Sequence, residues 1–296
     1  MNTRNILGNT KWQFSLPEFS ERCSSRDFEA KMFARVATDF VRSISLPKPK
    51  ALRAQIEITL HEVDGLARTL DDRIDEGSDT THSRIDADTR TAIHVKVEEI
   101  VEPLYNFVQD RWAFWREIHY AVSESILANT EGRSRVYSLT NSVEPISSTI
   151  AYACPILRLL SSDGMPAETF DAIFRNIAAS IQILDDIVDA EDDLTNLIVT
   201  PITEKLQKSS FGVDPKLKLP LVSRMAETAI LRHLDRSCEI CCHWSPDRRV
   251  TDVFYVIKRD VRLAFRQLPT SYSDSTWRSA IRRLKDQVPP ILCYGP

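Results

Sequence analysis

Aspartates are concentrated at two places in this chain. The first cluster, residues 71–76, reads DDRIDE, and the second, residues 185–193, reads DDIVDAEDD. Each ends an apolar run that predicts a helix, and helical residues three or four apart share one face. Stacked like charges destabilise a helix by a few tenths of a kcal/mol per pair, so a bound hard cation is the expected offset. The predicted metal ligands are Asp71, Asp72, Asp75, Asp185, Asp186, Asp189 and Asp193.

Two acidic faces on two separate helices predict a site with several Mg²⁺ ions for a polyanion such as a diphosphate. The second cluster is the stronger signal, because its acids lie among apolar neighbours such as Ile183 and Ile187. Acids in that setting must open into a cavity or cleft. The alternative for the first cluster is a solvated helix end, although that terminus favours cations. Asp64 and Arg68, on the same face, either extend the site or pair with each other.

The composition favours an all-helical protein. Only 7 of 296 residues are glycine, well below the usual share of about 7%, so tight turns and hairpins are scarce. No alternating run predicts a strand, and no repeat of fixed period is present. We expect an all-α fold, a single-domain antiparallel helical bundle over residues 1–296 with an N-terminal arm over 1–25. The expected helices are 27–44, 50–76, 89–110 (with a bend near Pro103), 111–129, 166–199 (long or bent), 221–243, 247–267 and 274–287.

Charge and hydropathy exclude several classes of function. The net charge of −4 and the lack of a basic run interleaved with aromatics argue against nucleic-acid binding. No apolar segment approaches the roughly 20 residues that span a bilayer, and the N-terminus has no apolar signal core. We therefore expect a cytoplasmic protein with no integral membrane segment. Its six cysteines are expected to be reduced in that compartment.

The motifs carry a resemblance to a known superfamily. Residues 182–193 resemble the second aspartate-rich motif of trans-isoprenyl diphosphate synthases, and residues 71–75 resemble their first. The order of the motifs and their separation of about 110 residues resemble the class I isoprenoid synthase superfamily, which includes terpene cyclases. The resemblance implies an α-helical bundle in which both motifs face one pocket. There they would bind three Mg²⁺ and the diphosphate of an allylic prenyl diphosphate.

Departures from the chain-elongating synthases favour a reaction of one substrate. The Arg-Arg pair that follows their first motif is replaced by residues 79–82, DTTH. Their Lys-Thr pair and Gly-Gly-Lys signature, which hold a second diphosphate, are also absent. Asp186, Asp189 and Asp193 have the spacing of the second metal motif of terpene cyclases, with aspartate in all three places. The chain therefore resembles a class I terpene cyclase, a lyase that ionises the substrate and cyclises the carbocation.

The resemblance also implies roles for basic residues. Arg135 lies 50 residues before Asp185, where terpene cyclases place an arginine that contacts the diphosphate; the alternative is a surface arginine. Lys258 and Arg259 begin a basic stripe that either caps the diphosphate or is solvated. We expect Asp72, Asp186 and Arg135 to act in catalysis. Asp72→Asn and Asp186→Asn should each abolish turnover, while the thermal stability holds or rises because repulsion within the cluster falls. A homodimer is compatible with the resemblance.

Two alternatives stay open. One is a prenyltransferase or isoprenyl diphosphate synthase, and the other is a non-catalytic helical scaffold or a degenerate partner subunit. Two further features are weaker. The first is a set of aromatics that either lines the pocket or belongs to the core, and the second is a cysteine string, residues 238–243, with zinc-like spacing but no second ligand pair. The aromatics are Phe107, Trp112, Phe114, Trp115 and Tyr120.

Overall fold

The structure is a computed structural model that contains helices and no strand in the part of the chain it describes. It describes residues 31, 33–35, 37–42, 48–76, 87–130, 133–140, 144–161, 165–208, 214–244 and 248–293, with side chains at all of these except 70–76, 133, 248–250 and 285–293. The α-helices are α1 (Lys50–Glu76), α2 (Ala87–Val101), α3 (Arg111–Thr130), α4 (Arg133–Val136), α5 (Ala153–Arg158), α6 (Ala167–Val188), α7 (Ala190–Thr195), α8 (Pro201–Lys208), α9 (Leu219–Trp244), α10 (Arg248–Arg266) and α11 (Asp274–Cys293). The all-helical prediction is confirmed for these residues.

Helix α6 is the centre of the molecule and is packed by α4, α5, α9 and α11. It begins directly after Pro166, whose extended backbone provides the N-cap position. Its most extensive contact is with α9, and small residues allow the two helices to approach closely. Two hydroxyls join them, since Ser180 Oγ donates to the Ile230 carbonyl at 3.5 Å and Ser237 Oγ donates to the Ile173 carbonyl at 3.0 Å. The second acidic cluster therefore begins at the C-terminal end of this central helix.

The core is one continuous apolar cluster that runs from Ala34 to Leu284. Residues 33–35 and 37–42 are helical, and Phe40 in this stretch makes edge contacts with Phe174 of α6 and Phe254 of α10. Helix α10 lies between α9 and α11, which closes this side of the molecule. None of the described helices is both long and apolar enough to cross a membrane.

Two expected helices are interrupted in the structure. The run expected over 89–110 ends as an α-helix at Val101 and continues as a 3₁₀ helix, Glu102–Phe107, with Pro103 in its first turn. Proline lacks the N–H group that an α-helix needs at that point. The run expected over 166–199 breaks at Asp189, where α6 ends and α7 begins. The break places Glu191, Asp192 and Asp193 in the first turn of α7, where the helix dipole favours negative charge.

Candidate functional site

The second aspartate cluster spans the break between α6 and α7. Asp189 N–H donates to the Asp185 carbonyl at 2.9 Å, and Asp193 N–H donates to the Asp189 carbonyl at 2.8 Å. These two hydrogen bonds keep helical spacing across the break, so Asp185, Asp189 and Asp193 follow one another at intervals of four. Asp185 is exposed, Asp189 is half-buried and Asp193 is buried. The cluster thus runs from solvent into the protein.

Asp186 is held inside the protein, away from that row. It is 1% exposed. Its Oδ1 accepts a hydrogen bond from Gln182 Nε2 at 2.7 Å, and its Oδ2 accepts one from the Tyr137 hydroxyl. Both oxygens of the carboxylate therefore have a protein donor, and Asp186 is anchored more firmly than a solvent-facing metal ligand needs to be.

A second buried carboxylate is held in a similar way on α1. Asp64 is 2% exposed, and its Oδ1 accepts a hydrogen bond from the Tyr152 hydroxyl at 2.5 Å. Its Oδ2 accepts one from Arg68 Nε at 2.6 Å. Of the two alternatives for Asp64 and Arg68, pairing with each other is thus observed. Asp64 lies two helical turns before Asp71, which is about 10 Å along the axis.

One connecting segment, described over residues 133–140 and 144–158, supplies both tyrosines. It folds back on itself where Ile146 N–H donates to the Arg135 carbonyl at 2.9 Å. Tyr137 follows α4 and reaches the end of α6, whereas Tyr152 precedes α5 and reaches α1. The helices that carry the two acidic clusters are therefore tied to the same segment through buried tyrosine–aspartate hydrogen bonds.

Arg135 is brought close to the second cluster by the fold. Helix α4 packs against α6, and Tyr137, two residues after Arg135, contacts Asp186 near the C-terminal end of α6. The Arg135 side chain is exposed. The chain thus returns to the end of α6 two residues after Arg135, and contact of Arg135 with a diphosphate stays a prediction.

The other two predicted cations are engaged elsewhere. Lys258 Nζ donates to Asp235 Oδ1 on α9 at 2.5 Å. Arg259 is exposed, and its Nε donates to the neighbouring Asp260 at 2.7 Å. In the described part of the chain, neither one contacts a residue of the second cluster. A role for them in diphosphate binding stays a prediction, and it requires that these ion pairs open.

For the first acidic cluster, the structure describes the backbone but not the side chains. The backbone of residues 71–76 is the last part of α1, as predicted, but the side chains of Asp71, Asp72 and Asp75 lie outside the described residues. Among the side chains that are described, no group of three or more His, Cys, Asp or Glu is close enough to hold a metal ion. A metal site drawn from both clusters stays a prediction.

The predicted pocket aromatics divide into core and surface. Phe114 is buried, whereas Trp112 and Tyr120 are 63% and 71% exposed. Trp115 stacks on Trp112 at a ring distance of 4.8 Å and on His119 at 4.1 Å. The rings of Trp112, Trp115 and His119 thus follow one another along α3, and the exposed Trp112 belongs to the surface.

A cleft of about 400 Å³ lies between α3, α5 and α6. Asp171 and Arg175 line it from α6, and both precede Asp185 by ten residues or more, which is about 15 Å or more along the helix. Arg175 is fixed by a two-pronged contact with Glu124 at 3.0 and 3.2 Å. Tyr120 is the one predicted site residue among those that line this cleft.

Comparison of the chain with models of protein families, with curated proteins and with solved structures finds no match. The functional interpretation therefore depends on the residues and the geometry described above.

Sequence reasoning missed the two tyrosines. Tyr137 and Tyr152 lie in an irregular segment without periodicity, and each is separated from its aspartate by a long stretch of chain, 49 and 88 residues respectively. The only available signal was their position in a predominantly apolar run. Gln182 was noticed as part of the motif, and its position one turn before Asp186 explains the hydrogen bond between them.

Proposed function

We propose that this protein is a Mg²⁺-dependent class I terpene cyclase. In this proposal the row Asp185, Asp189 and Asp193, together with the first cluster, holds Mg²⁺ ions that bind the diphosphate of an allylic substrate. The observation that carries it is that one connecting segment is hydrogen-bonded to both helices that bear the acidic clusters. Its Tyr152 hydroxyl donates to Asp64 of α1, and its Tyr137 hydroxyl donates to Asp186 of α6. Such a tie holds the two helices relative to each other, and a shared metal site requires that the elements carrying its ligands be held in place.

The proposed chemistry begins with departure of the diphosphate. Metal charges, with Arg135 near the end of α6, would stabilise the charge that grows on the leaving group as the C–O bond breaks. Asp186 would act as a positioning residue: its two anchored oxygens fix the end of α6 and thereby the direction of Asp185 and Asp189. The resulting allylic cation would cyclise in a water-free apolar pocket. The isoprenoid-synthase fold itself is part of this proposal.

The decisive experiment incubates the purified protein with C10, C15 and C20 allylic diphosphates and Mg²⁺, with product analysis by gas chromatography. We expect a neutral hydrocarbon or alcohol and free diphosphate, and loss of both after chelation of the metal. Asp185→Asn should lower the rate by about 10²-fold or more, as expected when charge stabilisation of the transition state is removed. Glu168→Gln is the matched control, because Glu168 is exposed at the opposite end of α6.

The result also decides between the proposal and the alternative of a non-catalytic scaffold. A scaffold is favoured by one observation, the full engagement of Asp186 by protein donors. If no allylic diphosphate is consumed, and neither Mg²⁺ nor diphosphate raises the melting temperature, the cyclase proposal is wrong.

A further inference from the structure

Three cysteines lie near the C-terminal end of α9, and two of them share a face. Cys238 and Cys242 are four residues apart, and their Sγ atoms are separated by 3.9 Å. Both are half-buried at the edge of the core, and Cys242 lies against Thr251 of α10. Cys241 points elsewhere and is 2% exposed. Cys238 and Cys242 are called the thiol pair below.

The geometry of the thiol pair disfavours a disulfide. Helical residues four apart have Cβ atoms about 5–6 Å apart, whereas a disulfide needs a Cβ–Cβ distance of about 3.5–4.5 Å. Helix α9 continues through both residues to Trp244. An S–S bond would therefore require distortion of the last turns of the helix, where it packs against α10.

The same distance suits two thiolates that share one cation. Zinc–sulfur bonds are about 2.3 Å long, and two of them at a tetrahedral angle separate the sulfurs by about 3.8 Å. The observed separation is 3.9 Å. We propose that Cys238 and Cys242 form a two-thiolate site for a thiophilic cation such as Zn²⁺ or Cd²⁺. The site is separate from the proposed Mg²⁺ site, because hard Mg²⁺ prefers oxygen ligands and soft thiolates select thiophilic metals.

The remaining coordination positions of the cation are open. Thr251 Oγ1 of α10 lies 3.4 Å from Cys242 Sγ and provides one weak oxygen donor beside the pair. No third His, Cys, Asp or Glu joins the thiol pair among the described side chains. Structural zinc sites have four protein ligands, whereas a site with fewer keeps positions for water or an added thiol. The thiol pair is therefore expected to exchange its cation readily.

Binding must displace protons, since the metal ligand is the thiolate. Each thiol that binds releases its proton to solvent. The apparent affinity for the cation should therefore rise with pH across the neutral range.

The test is a titration of the reduced full-length protein with Cd²⁺, followed by the thiolate-to-cadmium charge-transfer band in the ultraviolet. Carboxylate-bound cadmium gives no such band, so the aspartate clusters do not interfere. We expect a band that saturates at one cation per chain, that is lost in Cys238→Ser and in Cys242→Ser, and that persists in Cys241→Ala and Cys154→Ala. Saturating Cd²⁺ should also protect Cys238 and Cys242 of the wild-type protein, but not Cys241, from alkylation measured by mass spectrometry.

The alkylation experiment needs no variant, so it stands even if a serine variant fails to fold. An unchanged band in folded Cys238→Ser and Cys242→Ser would contradict the proposal. So would equal alkylation of the thiol pair with and without Cd²⁺.

Discussion

At the scale of single residues, the two buried tyrosine–aspartate contacts are the most informative features. An ionised carboxylate in the interior is tolerated only when donors satisfy its oxygens. Asp64 and Asp186 each receive one hydrogen bond from a tyrosine and one from a residue a turn earlier or later on the same helix. Hydrogen bonds to a charged group are roughly twice as strong as neutral ones. Both aspartates are therefore structural anchors as well as acids.

Asp186→Asn should destabilise the protein by about 1–3 kcal/mol, because the new amide group would face a donor and leave it unsatisfied. The sequence alone led us to expect stability that holds or rises, and the two donors to Asp186 are the reason for this revision. Chemical denaturation monitored by circular dichroism measures the change. Asp192→Asn, at an exposed position, is the control and should shift the free energy of unfolding by less than about 0.5 kcal/mol. Equal stability of the two variants would contradict the anchoring role.

Arg135→Ala should lower kcat more than it changes KM if the proposed reaction is correct. The guanidinium would meet a diphosphate whose charge grows in the transition state, so its removal affects that state most. Steady-state kinetics with the best allylic substrate measure the split. Arg224→Ala, an exposed change on α9, controls for loss of a surface charge. An unchanged kcat with a raised KM would mean that Arg135 only holds the ground state.

At the scale of elements, the break at Asp189 and the close pairing of α6 with α9 decide how the site is presented. Alanine and serine at the α6–α9 contact let the backbones approach, and the serine hydroxyls bond across it. Helix α1 is different, because it has a glycine in its interior. A Cβ added at Gly65 would meet nothing within 4 Å. Neither a turn nor a close approach therefore requires glycine at this position.

Gly65→Ala should raise the free energy of unfolding by about 0.5–1 kcal/mol, because alanine loses less conformational freedom in a helix. Thermal and chemical denaturation measure the gain. Ala54→Gly, the reverse change at an exposed position of the same helix, should lower stability by a similar amount. A loss of stability in Gly65→Ala would show that an interaction of the glycine backbone has been overlooked.

At the scale of the whole molecule, a polar network links α6 and α9 and runs from buried residues beside the apolar core to the surface. His233 Nδ1 donates to Asn176 Oδ1 at 2.8 Å, and Asn176 Nδ2 donates to Glu144 at 3.2 Å. Glu144 also accepts from Arg236 at 2.5 Å. His233 Nε2 is buried with no hydrogen-bond partner. Burial lowers the pKa of His233 to about 4, so the folded protein resists its protonation.

Stability should therefore fall as the pH decreases from about 6.5 to about 4. In this window the unfolded chain binds a proton at His233 and the folded protein does not, so acid favours unfolding by on the order of 3 kcal/mol in total. Burial also lowers the pKa of His94 and His119, which act in the same direction. Denaturation curves measured at several pH values give the free energy of unfolding, which should fall more steeply with decreasing pH in the wild type than in His233→Gln. Identical pH profiles would contradict the buried neutral state of His233.

Isopentenyl diphosphate added to an allylic diphosphate should yield no elongated chain. The sequence lacks the basic pairs that hold a second diphosphate, and an unpaired second polyanion in one pocket carries a large desolvation penalty. Product analysis with and without isopentenyl diphosphate measures this. A longer prenyl diphosphate that appears only with both substrates would favour the prenyltransferase alternative.

The sequence by itself determined what depends on local periodicity and composition. Scarce glycine and apolar runs of helical spacing predicted an all-helical chain, and α1 was predicted with the bounds that are observed. The acidic clusters were also visible, because neighbouring charges in one helix need no knowledge of the fold. The interruption at Pro103 was expected, because proline is a local signal. The break at Asp189 was not placed, since a run of apolar residues can continue through a change of axis.

Only the tertiary structure decided which aspartates are buried and hydrogen-bonded to protein donors and which face the solvent. Asp185 and Asp186 are adjacent in sequence, yet Asp185 is exposed to solvent and Asp186 is buried. A step of one residue turns a helical side chain by about 100°, so the packing of neighbouring helices selects the face that is buried. The donors that satisfy Asp64 and Asp186 come from a segment far along the chain. Hydrogen bonds of that kind leave no periodic trace in a sequence, because they depend on where the chain returns in space.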